Sequence, residues 1–251
     1  MVMADSLEVK INNLSKRFGN LVVLDDISLN VQVAENLIVF GQSGTGKSVL
    51  LKCIIGLLKP DMGEIFIKDK NVLLLSVDQL NKVRKKMGFL FQSAALYDSM
   101  SVRENLSFPL KKILDMPQNE INDKVLHTLE LVSLVEAIDK MPSELSGGMR
   151  KRVGLARSII TDPELMLYDE PTTGLDPITS KEISELILNL QKQLKMTSIV
   201  VTHDLICADI IADRAIFLRK GKIAHEGSIE DLTGSDNSFL KNFFSTKIIK
   251  D

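Results

Sequence analysis

The chain has 251 residues, of which 45% are hydrophobic and 25% are charged, the composition of an ordinary globular protein with one large domain. A formal net charge of −2 excludes a global electrostatic attraction to nucleic acid or to an anionic membrane surface. No apolar run reaches the roughly 20 residues that span a bilayer, and no signal peptide precedes Leu7, so we expect a cytoplasmic protein. Cys53 and Cys207 lie among apolar residues without metal-ligand spacing, which predicts buried thiols.

The hydrophobic pattern predicts strands that alternate with helices, the order typical of an α/β fold. Alternating segments predict strands with one buried face, and short all-apolar runs predict strands buried on both faces. The predicted strands cover residues 7–14, 27–33, 37–40, 64–68, 87–91, 165–168, 197–201, 215–218 and 222–225. The predicted helices outside the central region cover residues 47–58, 179–194 and 205–212.

Residues 101–158 have helical character and little strand signal. Within them four apolar residues recur at helical spacing on one stripe: Ile121, Val125, Leu129 and Val132. We therefore predict one domain over residues 1–251, with a helical subdomain at approximately 93–158 inserted into its α/β core. Basic clusters at 82–86 and 150–152 are typical of solvated helix faces.

A glycine-rich loop follows the third predicted strand and fits the pattern G-x-x-x-x-G-K-[ST]. Its glycines allow backbone N–H groups to surround phosphate oxygens, and the following helix directs its positive end at the same charge. We expect Lys47 to neutralise the outer phosphates and the Ser48 hydroxyl to bind Mg²⁺. The nucleotide-binding residues expected here are Gly41, Gln42, Ser43, Gly44, Thr45, Gly46, Lys47, Ser48 and Val49.

The apolar strand at 165–168 ends in two acids, which matches a Walker B strand. We expect Asp169 to hold Mg²⁺, directly or through water, and Glu170 to be the general base for an attacking water. A solvated acidic turn is the alternative interpretation, and the phosphate loop in the same chain argues against it.

A second candidate anion site lies at Leu145–Met149, far along the chain from the first. Ser146 is expected to cap a helix that begins near Gly148, and the glycines Gly147 and Gly148 expose backbone N–H groups at its positive end. Because the first site already has its lysine and its metal hydroxyl, we expect this stretch to grip the γ-phosphate of an ATP held by another copy. Two ATP molecules would then lie between two chains arranged head to tail.

Four further residues are candidates for the nucleotide site because of their positions relative to the predicted strands and motifs. Gln92 follows a predicted strand and opens the helical region, where it is expected to reach the metal. His203 follows the strand at 197–201 and is expected to contact the γ-phosphate, although a lone histidine is more often a surface or core residue. Asp176 lies in a turn after the acids and is expected at the contact between the two chains. Phe18 either stacks on the adenine ring or is a core residue.

Taken together, these residues resemble the ATP-binding cassette (ABC) family, and they occur in the family's order from Phe18 to about Glu226. The resemblance implies a P-loop NTPase core with an N-terminal antiparallel β subdomain and an inserted α-helical subdomain. It also implies an ATPase that works as a homodimer, with ATP and Mg²⁺ bound, as the motor subunit of a transporter.

A narrower resemblance rests on residues 91–110, with Ala94-Ala95-Leu96-Tyr97 inside them, and on 142–150, which include Met149. These stretches are similar to the ATPases of bacterial Mla/Mce lipid-transport systems. That similarity implies phospholipids or other lipids as cargo, an integral membrane permease and an MCE-domain lipid-binding protein as partners, and, as in some systems, a small STAS-domain protein. It implies a peripheral location on the inner membrane, with no nucleic acid bound.

Three other functions remain open. One is an ABC ATPase that serves a transporter for a different, small-molecule substrate, and another is a soluble ABC ATPase that acts in DNA repair or on ribosomes. Repair types need long coiled-coil arms, and ribosomal types usually carry two cassettes, neither of which the sequence contains. The third, an unrelated phosphate-loop kinase or GTPase, would have no use for Leu145–Met149 or for His203.

Overall fold

The computed structural model describes residues 7–114 and 116–248. Its strands are β1 (Leu7–Phe18), β2 (Leu21–Gln32), β3 (Asn36–Gly41), β4 (Met62–Ile67), β5 (Lys70–Asn71), β6 (Met87–Leu90), β7 (Leu165–Asp169), β8 (Thr197–Val201), β9 (Arg214–Arg219) and β10 (Lys222–Gly227). Its α-helices are α1 (Lys47–Ile54), α2 (Val77–Arg84), α3 (Val102–Pro109), α4 (Gln118–Leu131), α5 (Gly147–Ile159), α6 (Pro177–Leu194), α7 (Leu205–Ile211), α8 (Ile229–Thr233) and α9 (Ser238–Ile248). Short 3₁₀ turns cover Val72–Leu74, Val135–Ala137 and Pro142–Glu144, and a π turn covers Leu110–Leu114.

A six-stranded sheet forms the core, in the order β10-β9-β3-β8-β7-β6. Its neighbouring strands are parallel except for β10, which returns antiparallel to β9 as the predicted hairpin. Every residue of β3, β7 and β8 is buried, because helices or the second sheet cover both faces. The all-apolar runs thus correctly predicted strands buried on both faces. Since parallel strands end at the same edge, this topology brings the residues after β3, β6, β7 and β8 together.

A four-stranded antiparallel sheet, in the order β2-β1-β4-β5, packs against this core. Exposed and buried residues alternate along the second half of β2, which presents one face to the core and the other to solvent. The two sheets together confirm the predicted α/β fold with an N-terminal antiparallel part.

Between β6 and β7, the residues that the structure describes form helices and turns and contain no strand. The predicted stripe is buried: Ile121, Val125, Leu129 and Val132 join one hydrophobic cluster with residues from α3 and α5. The interpretation of approximately 93–158 as a separate helical subdomain stays a prediction.

Two helix boundaries differ from the sequence-based prediction by two residues or more. Helix α1 ends at Ile54 rather than at residue 58, and Gly56 follows with a left-handed φ of 74°, a conformation that stops a helix. Helix α6 begins two residues earlier than predicted, because Asp176 caps it and Pro177 suits its first position.

Aromatic side chains of α9 pack against β3, the strand that leads into the phosphate loop. The ring of Phe40, the residue before Gly41, lies edge-on to Phe244 of α9 with centroids 5.4 Å apart. Phe217 of the neighbouring strand β9 packs in the same way against Phe243, at 4.8 Å. Helix α9, which we did not predict, therefore supports the start of the loop.

Candidate nucleotide-binding site

The phosphate loop connects β3 to α1, in the strand-loop-helix order that the motif requires. Gly46 adopts φ +100°, and a Cβ there would lie 2.7 Å from the Val23 carbonyl oxygen. Only glycine fits this close approach of two backbones. The loop is therefore held against β2.

Lys47 is buried, with 8% of its surface exposed. Its ammonium donates to the carbonyl oxygens of Gly41 at 2.8 Å and Gln42 at 3.1 Å, and lies 3.8 Å from Glu170 Oε1. Burial lowers the pKa of Lys47, while the charges of Glu170 and Asp169 act in the opposite direction. The loop thus holds a lysine ammonium close to a carboxylate.

Ser48 and Asp169 meet at the ends of α1 and β7. The Ser48 hydroxyl donates to Asp169 Oδ1 at 2.7 Å. A hydroxyl and a carboxylate oxygen are hard ligands of the kind that Mg²⁺ prefers, so the pair fits this ion. Among the residues described, no group of three or more His, Cys, Asp or Glu side chains forms a metal cage.

Glu170 has an unusual backbone and a crowded carboxylate. Its φ of 52° lies in the left-handed region, which costs a non-glycine residue on the order of 1 kcal/mol or more. Its Oε2 lies 2.7 Å from His203 Nδ1 and accepts from the Thr173 hydroxyl at 3.2 Å. Burial raises its pKa, but the hydrogen bond and charge of His203 and the charge of Lys47 outweigh burial, so the net pKa is lowered and the side chain is a carboxylate.

A single cleft of about 420 Å³ collects most of the predicted residues. It is lined by Phe18, Val23, Ser43, Gly44, Gly46, Lys47, Ser48, Val49, Gln92, Glu170, Thr173 and His203. Phe18 is 47% exposed, so it lies at the mouth of the cleft and not in the core. Val23 and Thr173 were not predicted; the position of Thr173 directly after the acids was the available signal.

Three of the predicted loop residues and one of the predicted acids do not line the cleft themselves. Gly41, Gln42 and Thr45 shape the loop, with the Thr45 hydroxyl donating to the Gln42 carbonyl at 2.8 Å. Asp169 is 8% exposed and reaches the cleft through its bond to Ser48.

The second predicted anion site lies outside the cleft. Ser146 caps α5 by accepting from the Met149 N–H at 3.2 Å, and the helix begins at Gly147, one residue before the predicted start. Ser146 and Gly147 are exposed, and Gly148 is half-buried. These three residues therefore do not line the cleft of their own chain.

Asp176 also lies outside the cleft and caps α6. Its carboxylate accepts from the backbone N–H groups of Ile178 and Thr179, and from the Thr179 hydroxyl at 2.6 Å. Beside it, a groove of about 530 Å³ shares Thr173 and His203 with the nucleotide cleft. The turn after the acids thus forms one wall of an open surface.

Asp204 organises this surface and was missed by the sequence analysis. Its Oδ2 accepts from the hydroxyls of Thr172 at 2.8 Å and Ser180 at 2.6 Å, and its Oδ1 caps α7. Burial raises the pKa of Asp204, but these hydrogen bonds outweigh burial and lower it. The residue links the loop after the acids to the loop that carries His203.

The prediction of a solvated face for residues 150–152 is wrong at Lys151. This residue is 6% exposed, and its ammonium donates to the carbonyl oxygens of Gln92 at 2.6 Å and Glu170 at 3.4 Å. The signal was available, because Lys151 shares a helical stripe with Gly154, Leu155 and Ser158, which are all buried.

Comparison with known proteins agrees with this geometry. The sequence model described as ABC transporter matches residues 24–173, more than half of the chain. The chain belongs to the ABC transporter family. It is an ABC ATPase, as the sequence predicts, and members of this family work as dimers with a membrane permease.

Two relatives cover almost the whole chain. The intermembrane phospholipid transport system ATP-binding protein MlaF of Haemophilus influenzae is 42% identical over 94% of this chain and 89% of its own length. The probable ribonucleotide transport ATP-binding protein mkl of Mycobacterium tuberculosis is 37% identical over 97% of this chain and 68% of its own length. The similarity to MlaF confirms the narrower resemblance to the Mla ATPases.

A solved structure of the family has the same fold. The ATP-binding cassette MJ0796, in a dimeric post-hydrolysis state bound to ADP and Pi, superposes with a TM-score of 0.81 at 33% identity. The match covers 88% of this chain and 98% of MJ0796. None of the helices within residues 7–114 and 116–248 has the length and apolar character needed to cross a membrane.

Proposed function

We propose that this chain is the ATP-hydrolysing subunit of a bacterial transporter that moves phospholipids or other lipids between membranes. The lipid cargo rests on one observation, the 42% identity to MlaF over nearly the full length of both chains. The assignment of ATP hydrolysis rests on the cleft. There Lys47 lies near the carboxylate of Glu170, and the oxygens of Ser48 and Asp169 form a pair that fits Mg²⁺.

Within the cleft, we assign binding of the triphosphate to the loop from Gly41 to Ser48, with Val49 at its edge and Phe18 stacked on the base. The ammonium of Lys47 neutralises the outer phosphates. Because Lys47 lies 3.8 Å from Glu170, the same cation links the phosphates to the catalytic carboxylate.

Glu170 is assigned as the general base. Its lowered pKa keeps it ionised at neutral pH, so it can accept a proton from water as that water attacks the γ-phosphate. His203, 2.7 Å from this carboxylate, orients both the base and the phosphate. The left-handed backbone of Glu170 is consistent with a strained catalytic position.

We assign Mg²⁺ to the oxygens of Ser48 and Asp169, with Gln92 on the open side of the same cleft. When bound, the ion offsets the charge that develops on the phosphate oxygens. Gln92 also begins the helical region, so it is suited to report nucleotide state to that region.

The second half of each site belongs to another copy of the chain. Ser146, Gly147 and Gly148 form a positive helix end outside their own cleft, which suits the γ-phosphate of a nucleotide bound by a partner. Asp176 lies on the open surface beside the cleft, which suits a contact between the two chains. A homodimer with two shared sites follows.

For partners, we propose an integral membrane permease, an MCE-domain lipid-binding protein and a small STAS-domain protein. The ATPase would then lie on the cytoplasmic side of the inner membrane, held there by the permease. The net charge of −2 gives no support for nucleic acid as a partner.

A different small-molecule cargo is the second candidate. It is favoured by the 37% identity to the mycobacterial relative, whose name refers to ribonucleotide transport. A soluble ABC ATPase without a permease has no comparable observation in its favour.

The deciding experiment is purification of the intact complex from native membranes, with mass spectrometry of its proteins and lipids. We expect two copies of this chain, a permease, an MCE-domain protein and bound phospholipid. A nucleotide, sugar or amino-acid permease without lipid would contradict the lipid cargo and leave the ATPase assignment intact. Loss of ATP-driven lipid transfer between vesicles in a Lys47→Ala complex is the functional check.

A further inference from the structure

Two buried lysines contact Glu170 at opposite ends. Among the residues that the structure describes, Lys47 and Lys151 are the lysines with less than a tenth of their surface exposed. Lys47 lies 3.8 Å from the carboxylate of Glu170, and Lys151 lies 3.4 Å from its carbonyl oxygen. Lys47 is therefore near the reacting side chain of Glu170, whereas Lys151 contacts the backbone that holds this side chain.

The stronger bond of Lys151 goes to a different loop. Its ammonium donates to the Gln92 carbonyl oxygen at 2.6 Å. Gln92 follows β6 and Glu170 follows β7, and these parallel strands are neighbours, so Lys151 bridges the two strand ends. Because burying an ammonium is costly unless it is hydrogen-bonded, the two carbonyl groups compensate for its desolvation.

The backbone of Glu170 needs such support. A left-handed conformation at a non-glycine residue persists only where its surroundings hold it, and Glu170 has φ 52°. Its N–H donates to the Val201 carbonyl oxygen at 2.8 Å, which fixes one side of the residue. Lys151 contacts the carbonyl on the other side.

We propose that Lys151 is a positioning residue for ATP hydrolysis, whose ammonium holds the backbones of Glu170 and Gln92 so that the carboxylate of Glu170 faces the cleft. The inference rests on the proposed function, in which Glu170 is the base. Lys151 itself does not line the cleft. Its loss therefore lowers the rate of the chemical step rather than the binding of ATP.

Lys151 also belongs to α5, five residues after Ser146. The helix that is assigned to the nucleotide of the partner chain thus carries the cation that positions the base of its own chain. The geometry makes the alignment of Glu170 depend on the position of α5.

The test compares Lys151→Met, which removes the cation but keeps a chain of similar length, with Lys151→Arg, which keeps the positive charge and supplies N–H donors from a guanidinium. In the assembled complex we expect Lys151→Met to lower kcat on the order of a hundredfold, the effect of a misplacement of about 1 Å, with KM for ATP unchanged. Lys151→Arg should recover most of that kcat. Arg152→Met is the matched control, since Arg152 lies on the same helix and bonds the Val132 carbonyl oxygen instead.

Wild-type kcat in Lys151→Met would overturn the inference, as would equal losses in the Met and Arg variants, because packing rather than the cation would then matter. If Lys151→Met does not fold, Lys151→Gln replaces it, with the same expected loss and the same contrast to Arg. Glu170→Gln is measured in parallel. Normal hydrolysis in Glu170→Gln would refute the proposed base, whereas an inactive Glu170→Gln beside an active Lys151→Met would refute only the role of Lys151.

Discussion

Replacing Gly147 with aspartate tests whether each nucleotide site is shared between two copies. Gly147 is the first residue of α5, and a Cβ there would meet only Leu175 Cδ2, at an ordinary 3.7 Å. The side chain is therefore accommodated within its own chain. An aspartate in the first turn of a helix also interacts favourably with the helix dipole, so we expect the folded subunit to keep its stability.

Gly148 is a less suitable probe, although it belongs to the same motif. A Cβ there would lie 2.8 Å from Thr179 Cγ2, and Thr179 is held in place by its hydroxyl bond to Asp176. Overpacking of this kind typically costs about 1–3 kcal/mol. A loss of activity in a Gly148 variant would thus mix a structural defect with a binding defect.

The expected effect of Gly147→Asp follows from like-charge repulsion. If the partner's triphosphate meets the start of α5, the new carboxylate lies beside it. Two unit charges about 4 Å apart interact by about 4 kcal/mol at an effective dielectric constant of about 20. Since about 1.4 kcal/mol is a tenfold change, ATP binding at the shared site should weaken on the order of a thousandfold.

The assay uses mixed dimers assembled from two differently tagged chains in the intact complex. In the first arrangement one chain carries Lys47→Ala and the other carries Gly147→Asp, so both defects fall on one shared site and the other stays whole. In the second arrangement one chain carries both changes, and each site then has one defect. We expect the first dimer to retain one tightly bound ATP and the second to retain none.

Equal ATP occupancy in the two arrangements would refute the shared site. The assay measures the number of ATP molecules bound per dimer as well as the hydrolysis rate. The result therefore does not depend on whether the two sites must hydrolyse ATP together. Two wild-type chains with different tags provide the reference occupancy.

Three further changes test the cleft and its surroundings. Lys47→Ala should abolish hydrolysis and weaken ATP binding, because it removes the cation of the loop; normal turnover in an ATPase assay would contradict this site. Glu170→Gln should still bind ATP and form a stable ATP-dependent dimer, with turnover lowered about 10²- to 10⁴-fold; an unchanged rate would exclude Glu170 as the base. Asp204→Asn should lower the free energy of unfolding at neutral pH. Since the folded-state pKa of Asp204 lies below 3.8, its stabilisation is present above pH 3.8 and is lost as the pH falls through the folded-state value. Urea unfolding at several pH values should therefore show the wild type and the variant converging in acid, and a constant difference would exclude this linkage.

The central strands were predictable because their burial leaves a direct trace in the sequence. A strand covered on both faces admits few polar residues, and 37–40 is a run of apolar side chains. Helix α2 has no hydrophobic stripe that would have predicted it, because in its eight residues only Val83 is buried. Its start was nevertheless encoded by Ser76 and Gln79, which form a capping box.

The identities of the site residues were also accessible from motifs, but their geometry was not. The left-handed backbone of Glu170 and its contact with His203 depend on how β7 and β8 pair, and these strands are far apart in sequence. Lys151 was misjudged for a related reason. Its place on the buried stripe of α5 was readable from the sequence, but the loops at 92 and 170 whose carbonyl groups accept its hydrogen bonds were not.

The loop after Gln92 is joined to α5 by contacts that leave little freedom between them. A Cβ at Gly154 would lie 2.7 Å from the Ala94 Cβ, so the two backbones touch with no space for a methyl group. Arg157 donates to the Ala95 carbonyl oxygen, and its guanidinium lies 4.8 Å from the centre of the Tyr97 ring.

A displacement of the loop would therefore be passed to the helix through these contacts. Under the proposed function, a permease segment that pressed on Tyr97, which is 40% exposed, would displace α5, whose first turn is assigned to the nucleotide of the opposite subunit. Movement of α5 would then reach two nucleotide sites, that of the opposite subunit through the first turn of α5 and that of its own chain through Lys151. Enlarging Gly154 would force a gap between loop and helix and would weaken both connections, because the bond from Lys151 to the Gln92 carbonyl oxygen crosses the same contact.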